Sequence, residues 1–136
     1  MSTTTINPNA ELAELGKFFE VAARRFAAGE AAPEMFSTAI DAAWHNLAAD
    51  SEAHRKFSLE HADRELVHVE SAGHGVITWV SAYEEAYGPL PELWFTDASG
   101  VTDTRALAVY RETGTVVASW SCGPADGDVV PEKTER

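Results

Sequence analysis

From about Asn9 the apolar residues Leu12, Leu15, Phe19, Ala22 and Phe26 recur at steps of three and four, which places them along one face of a helix. So long a stripe has to be covered, and the rest of the chain must supply what covers it. Glu11 and Glu14 stand in the first turn of this helix and Arg24 and Arg25 in its last, complementing the helix dipole at both ends. The segment from Gly29 to Pro33 stops it. A second helix, about 33–49, sets Phe36, Ile40, Ala43 and Leu47 on one face. Asp50 and Ser51 offer capping oxygens to a third, which reaches about Asp63 and carries His54, Phe57 and His61 on one stripe. Val76, Trp79, Val80, Tyr83 and Tyr87 define a fourth helix, which Gly88-Pro89 ends.

Between these helices the period changes. Residues 65–70 alternate and carry paired valines, the mark of a short strand, and residues 71–75 read as a loop. Leu90 to Phe95 is a compact apolar segment, read as a helical turn on the core, and a turn follows at Asp97–Gly100. Residues 105–111 and 116–122 form two alternating runs around Glu112-Thr-Gly-Thr115, a hairpin loop with Gly114 at positive φ. A lone hairpin is marginal in water, so it is expected to pair with the 65–70 strand or the extended stretch near Trp94. The expectation is an α+β fold, with three or four helices packed on a small antiparallel sheet that includes the C-terminal β-hairpin. Residues 9–123 form one domain, and 1–8 and 124–136 are polar, disordered tails. Trp79 and Trp120 are expected in the core.

A chain of 136 residues is the size of one domain and needs no covalent staple. Cys122 is its single cysteine, so neither an intrachain disulfide nor a cysteine-rich metal knuckle can form. Sharing a strand face with Trp120 and Ala118, Cys122 reads as a small core residue and not as a nucleophile. With 22 acidic and 10 basic residues the net charge is −12, a field that repels nucleic acid and anionic membrane surfaces and suits a basic protein partner. The N-terminus lacks the basic and apolar regions of a signal peptide, and no apolar run is long enough to cross a membrane. A cytoplasmic location follows as the expectation, and the alanine-rich, arginine-preferring composition points to a bacterial genome. There is no phosphate loop, nucleophile elbow, zincin helix or EF-hand.

The five histidines are what remains to carry chemistry. Asp41 and His45 lie four apart, so their side chains meet on the second helix, with Trp44 at the boundary of its apolar face. His68 is mid-strand and His74 lies between glycines. Asp41, Trp44, His45 and His68 are the candidate ligand-binding residues. Asp41, His45 and His68 would be the ligands if a metal binds, and zinc is the ion such a set would suit. The plainer alternative is a solvated Asp41–His45 pair with His68 as a hydrogen-bonded sheet residue.

The run from Asp41 through Trp44, His45 and Leu47 to Asp50, then His54, Phe57 and Ser58, then Leu66-Val-His68, resembles the helix pair of the glycine-rich-domain-like proteins. Their pattern is roughly D-x-x-W-H-x-H-[IL]-x-D, then Y-x-x-F-C, then [IL]-x-H. The resemblance covers about residues 36–70. Leu47 stands where that family has its second helix histidine, His54 where it has tyrosine and Ser58 where it has cysteine. It implies a shared packing of the helix pair and, where a site is carried, convergence of Asp41, His45 and His68. The leading expectation is a non-catalytic accessory or binding protein acting through a protein partner or small ligand, with no resident cofactor. The alternatives are a metal-binding protein or small metalloenzyme, and an acidic inhibitor or nucleic-acid mimic.

Overall fold

A computed structural model of the chain describes residues 8–126. Its first helix, α1, runs from Pro8 to Ala27. It buries Leu15, Phe18, Phe19, Val21 and Ala22 on the face that the periodicity marks out. Gly29, at φ 77°, lets the chain reverse, so that the Glu30 N–H closes on the Arg25 carbonyl at 2.8 Å. The chain then runs extended until Ser37 caps α2, Thr38–Ala48, by accepting from the Ile40 N–H. Asp50 caps α3, Ser51–Ala62, in the same way through the Ala53 N–H. Gly16 permits close approach of α1 and α3, since a Cβ there would stand 2.6 Å from the His61 ring.

Strand β1, Leu66–Val76, is followed by α4, Val80–Tyr87, a 3-10 turn at Glu92–Phe95, α5, Thr104–Thr113, and β2, Val117–Asp126. β1 and β2 make a two-stranded antiparallel sheet, with Leu66 opposite Asp126 and Val76 opposite Val117. The fold is α+β, as expected, and the C-terminal strand does pair with the 65–70 segment.

Several expectations need correction. The described residues hold five α-helices, not three or four. Residues 105–111 are not a strand but belong to α5, because Asp103 caps its start and Gly114, at φ 78°, ends it. Leu107 and Tyr110 turn inward from α5, with Tyr110 stacked on Phe95 at 5.5 Å. Residues 71–75 lie within β1, because β2 pairs across them with an irregularity between Glu70 and Gly73. Trp120 is only half-buried. It lies over Gly73, where a Cβ would meet its ring at 2.3 Å. Pro8 opens α1, and residues 124–126 belong to β2. The remainder of both expected tails lies outside the described residues.

The core is aromatic. Phe18 meets Trp79 at 5.3 Å and Trp44 at 6.0 Å between ring centroids, and Trp79 meets Trp94 at 4.8 Å. One carboxylate enters this core. Glu14 Oε1 accepts from the Tyr83 hydroxyl at 2.6 Å and from Trp94 Nε1 at 3.0 Å, while Lys17 reaches its other oxygen at 3.1 Å. Burial, followed by the hydrogen bond to Glu14, pushes the Tyr83 hydroxyl well above the usual phenol range, so it stays a donor. Among the described residues no helix is long and apolar enough to cross a membrane.

Trp79 is fully buried and donates to the Glu34 carbonyl at 2.8 Å. Trp79→Ala should therefore cost about 3–5 kcal/mol in chemical denaturation, with Trp120→Ala costing clearly less. Equal losses for the two would contradict their different burial. Glu14→Ala strands two buried donors and should cost about 1–3 kcal/mol for each. A denaturation midpoint unchanged by Glu14→Ala would show that water replaces the carboxylate.

Candidate metal centre

Asp41 and His45 project from one flank of α2, four residues apart, while Trp44 turns inward and is fully buried. The sheet supplies the facing residues. His68 lies opposite Pro124 and Cys122 opposite Glu70, so His68 and Cys122 are diagonal cross-strand neighbours on one face of the ladder. The extended segment before α2 holds β2 in place, through the Met35 N–H donating to the Cys122 carbonyl at 3.1 Å. Three elements distant in sequence thereby meet.

The geometry centres on Asp41. Its Oδ1 lies 3.1 Å from His68 Nε2 and 3.1 Å from Cys122 Sγ. Its Oδ2 lies 3.5 Å from His45 Nε2, and the two imidazole rings are 4.4 Å apart between centroids. The group is graded from solvent to core: the His45 side chain is 61% exposed, Asp41 19% and His68 17%, while Cys122 is buried. Asp41, His45 and His68, singled out in the sequence, are thus together in space. Trp44, named with them, is the wall behind them, with the His68 ring edge-on at 4.6 Å.

Cys122 is the residue that sequence reasoning missed. It is buried as expected, yet its thiol donates to Asp41. Burial first, and then the bond to Asp41, push this thiol far above its ordinary range. That is the opposite of an activated nucleophile, whose thiolate must be stabilised. A bound cation would reverse the balance, because a coordinating thiol loses its proton to the metal.

The other histidines have separate partners. His54 Nε2 accepts from Trp44 Nε1 at 3.0 Å in a buried bond, which requires the neutral ring. His61 pairs with Glu20 at 3.1 Å, and His74 with Ser119 at 2.8 Å.

Comparison with family models, curated proteins and solved structures finds no match. What the cluster can do therefore rests on its own chemistry. One oxygen, one nitrogen and one sulfur, from Asp41, His68 and Cys122, lie within 4.8 Å of one another. Tetrahedral zinc, with bonds of about 2.0–2.3 Å, holds its ligand atoms roughly 3.3–3.8 Å apart. Small side-chain adjustments span that difference. His45, at the solvent edge, is a fourth donor of the type zinc accepts.

Burial holds the His54 pKa below the ordinary histidine value; Glu65 opposes this and His68 adds to it. The unfolded chain takes up a proton here near pH 6.5, about its ordinary value, and the folded protein only at lower pH. The unfolded state thus binds more protons in that interval, so stability is full above it and falls as pH drops through it. His54→Gln keeps an acceptor for Trp44 and should flatten the loss of stability between about pH 7 and 6 in urea titrations. A slope unchanged from wild type would show that His54 does not carry the effect.

Proposed function

We propose that this protein binds a divalent transition metal, zinc foremost, at Asp41, His68 and Cys122, with His45 closing the site from the solvent side. The observation that carries the proposal is the meeting of carboxylate, imidazole and thiol donors from α2, β1 and β2 within 4.8 Å. Thiolate and imidazole together favour zinc over magnesium or calcium, which take oxygen ligands. Trp44 supports the arrangement by packing behind His68, and its own bond to His54 holds the indole in place. The net charge of −12 supports cation binding and disfavours nucleic-acid partners.

The same contacts disfavour covalent catalysis. A cysteine nucleophile needs its thiolate stabilised, whereas burial and the negative charge of Asp41 both keep this thiol protonated. With His45 bound, four protein donors would surround the ion and leave no position for substrate, the pattern of a structural site. The reading is therefore a metal-binding accessory protein; in a metalloenzyme, His45 would have to stand aside for water or substrate.

Chelator-treated protein titrated with zinc by calorimetry should bind one equivalent. Cobalt loading should give the intense near-ultraviolet absorption of a thiolate–metal bond. Cys122→Ser should remove that absorption, and His68→Ala should weaken zinc binding by about tenfold or more. His54→Gln should leave both unchanged. Circular dichroism identifies any variant that has failed to fold. Zinc affinity equal to wild type in folded Cys122→Ser and His68→Ala would overturn the proposal.

A further inference from the structure

On the opposite flank of α2 from Asp41 and His45, the first turns of α1 leave a cavity of about 460 Å³. Its lining is almost wholly aliphatic: Leu12 from α1 and Ala39, Ala43 and Leu47 from α2, with Asn46 at the exposed rim. The depth follows from residue size, because alanines stand where a larger side chain would fill the space between the helices. One charged group enters it. Glu11 is only 6% exposed, lines the cavity, and makes no hydrogen bond or ion pair with any described residue.

That isolation is unusual within this molecule. The other deeply buried carboxylate, Glu14, is one turn further along the helix and is fully engaged by Tyr83, Trp94 and Lys17. The Glu11 oxygens keep some contact with solvent at the cavity, but a carboxylate so far withdrawn from water without a partner loses part of its hydration uncompensated. Burial accordingly raises the Glu11 carboxyl above its ordinary pKa. Its first-turn place on α1 gives it partial support from the helix dipole. The dipole accounts for the sign of the charge but not for the apolar cavity beside it.

We infer that this cavity binds a primary aliphatic ammonium, with the cation paired to Glu11 and the alkyl chain lying along Leu12, Ala39, Ala43 and Leu47. The size lies within the range of small-ligand sites, and the lining combines an apolar body with one polar anchor, as such sites do. An ammonium satisfies the carboxylate with a charge-assisted hydrogen bond, and the methylenes cover aliphatic surface that is otherwise wet. A cation without a chain would forgo the second contribution, and an uncharged alcohol the first. The site is separate from the metal centre, so each can fail without the other.

The probes are n-butylammonium chloride, with ammonium chloride and n-butanol as controls, titrated into the full-length protein and followed by amide chemical shifts. Saturable shifts confined to the Leu12, Ala39, Ala43 and Asn46 region are expected with n-butylammonium, and far weaker ones with either control. Glu11→Gln should weaken butylammonium binding by about tenfold or more, the loss expected for a hydrogen bond to a charged group. Ala43→Leu, which fills the cavity and keeps the carboxylate, should abolish binding, and zinc affinity should be unchanged in both variants. 1,4-Diaminobutane, run in parallel, should bind at the same residues, and a tighter fit would indicate a polyamine as the source of the ammonium. Affinity for butylammonium undiminished in Glu11→Gln, equal shifts from n-butanol, or no saturable shifts at these residues would overturn the inference.

Discussion

The fold depends on one carboxylate set among the aromatic rings of the core. Glu14 Oε1 takes hydrogen bonds from residues 69 and 80 positions away in the chain, Tyr83 on α4 and Trp94 in the 3-10 turn. Apolar packing alone would let these elements slide, because aromatic rings accept many mutual orientations at similar energy. A shared acceptor in a low-dielectric interior admits few arrangements, since any other leaves two donors unsatisfied. Phe18, Trp79 and Trp94 then interlock around a fixed point. The 3-10 turn, once anchored, receives α2: Ser37 donates to the Leu93 carbonyl, and the Ala39 N–H donates to the Thr96 carbonyl.

This sequence of supports ends at Asp41. With its N-terminus held by the 3-10 turn and Trp44 driven into the core, α2 has no rotational freedom left. Its Asp41–His45 flank must face the sheet. Trp44 belongs to both regions, meeting Phe18 and Phe19 on the core side and His68 on the other. The carboxylate at the centre of the cluster is thus aimed by packing rather than by the groups it binds, which is what a preorganised site requires.

Much of this was legible in the sequence, for reasons that differ by element. The first three helices carry strong periodic stripes, and α3 has its capping residue in plain view at Asp50. α5 misled because over seven residues Ala106, Leu107, Val109 and Tyr110 fit a strand as well as a helix. The brackets at Asp103 and Gly114, read as cap and terminator, were the signal that could have decided it. At the site, Asp41 and His45 stand out by their four-residue spacing on one helix, and His68 by the resemblance that joins it to them. Cys122 does not, and no local pattern could have raised it. Its place beside Asp41 comes from the pairing of β1 with β2, a long-range register that residue types near Cys122 do not encode.

The irregularity in β1 between Glu70 and Gly73 gives that register a further meaning. Side chains alternate along a strand, so a slip of one residue in β2 would turn Cys122 away from His68 and α2. Gly73 beneath the Trp120 ring admits one alignment closely, because another residue in its place would collide with the indole. The ladder joins positions some fifty residues apart, and closing such a loop costs chain entropy before any contact repays it. The donor cluster therefore exists only where β1 and β2 are paired in this register. An ion that recognised it would bind only the chain in which α2, β1 and β2 have met, and its binding energy would add to the stability of the whole domain rather than of any one element.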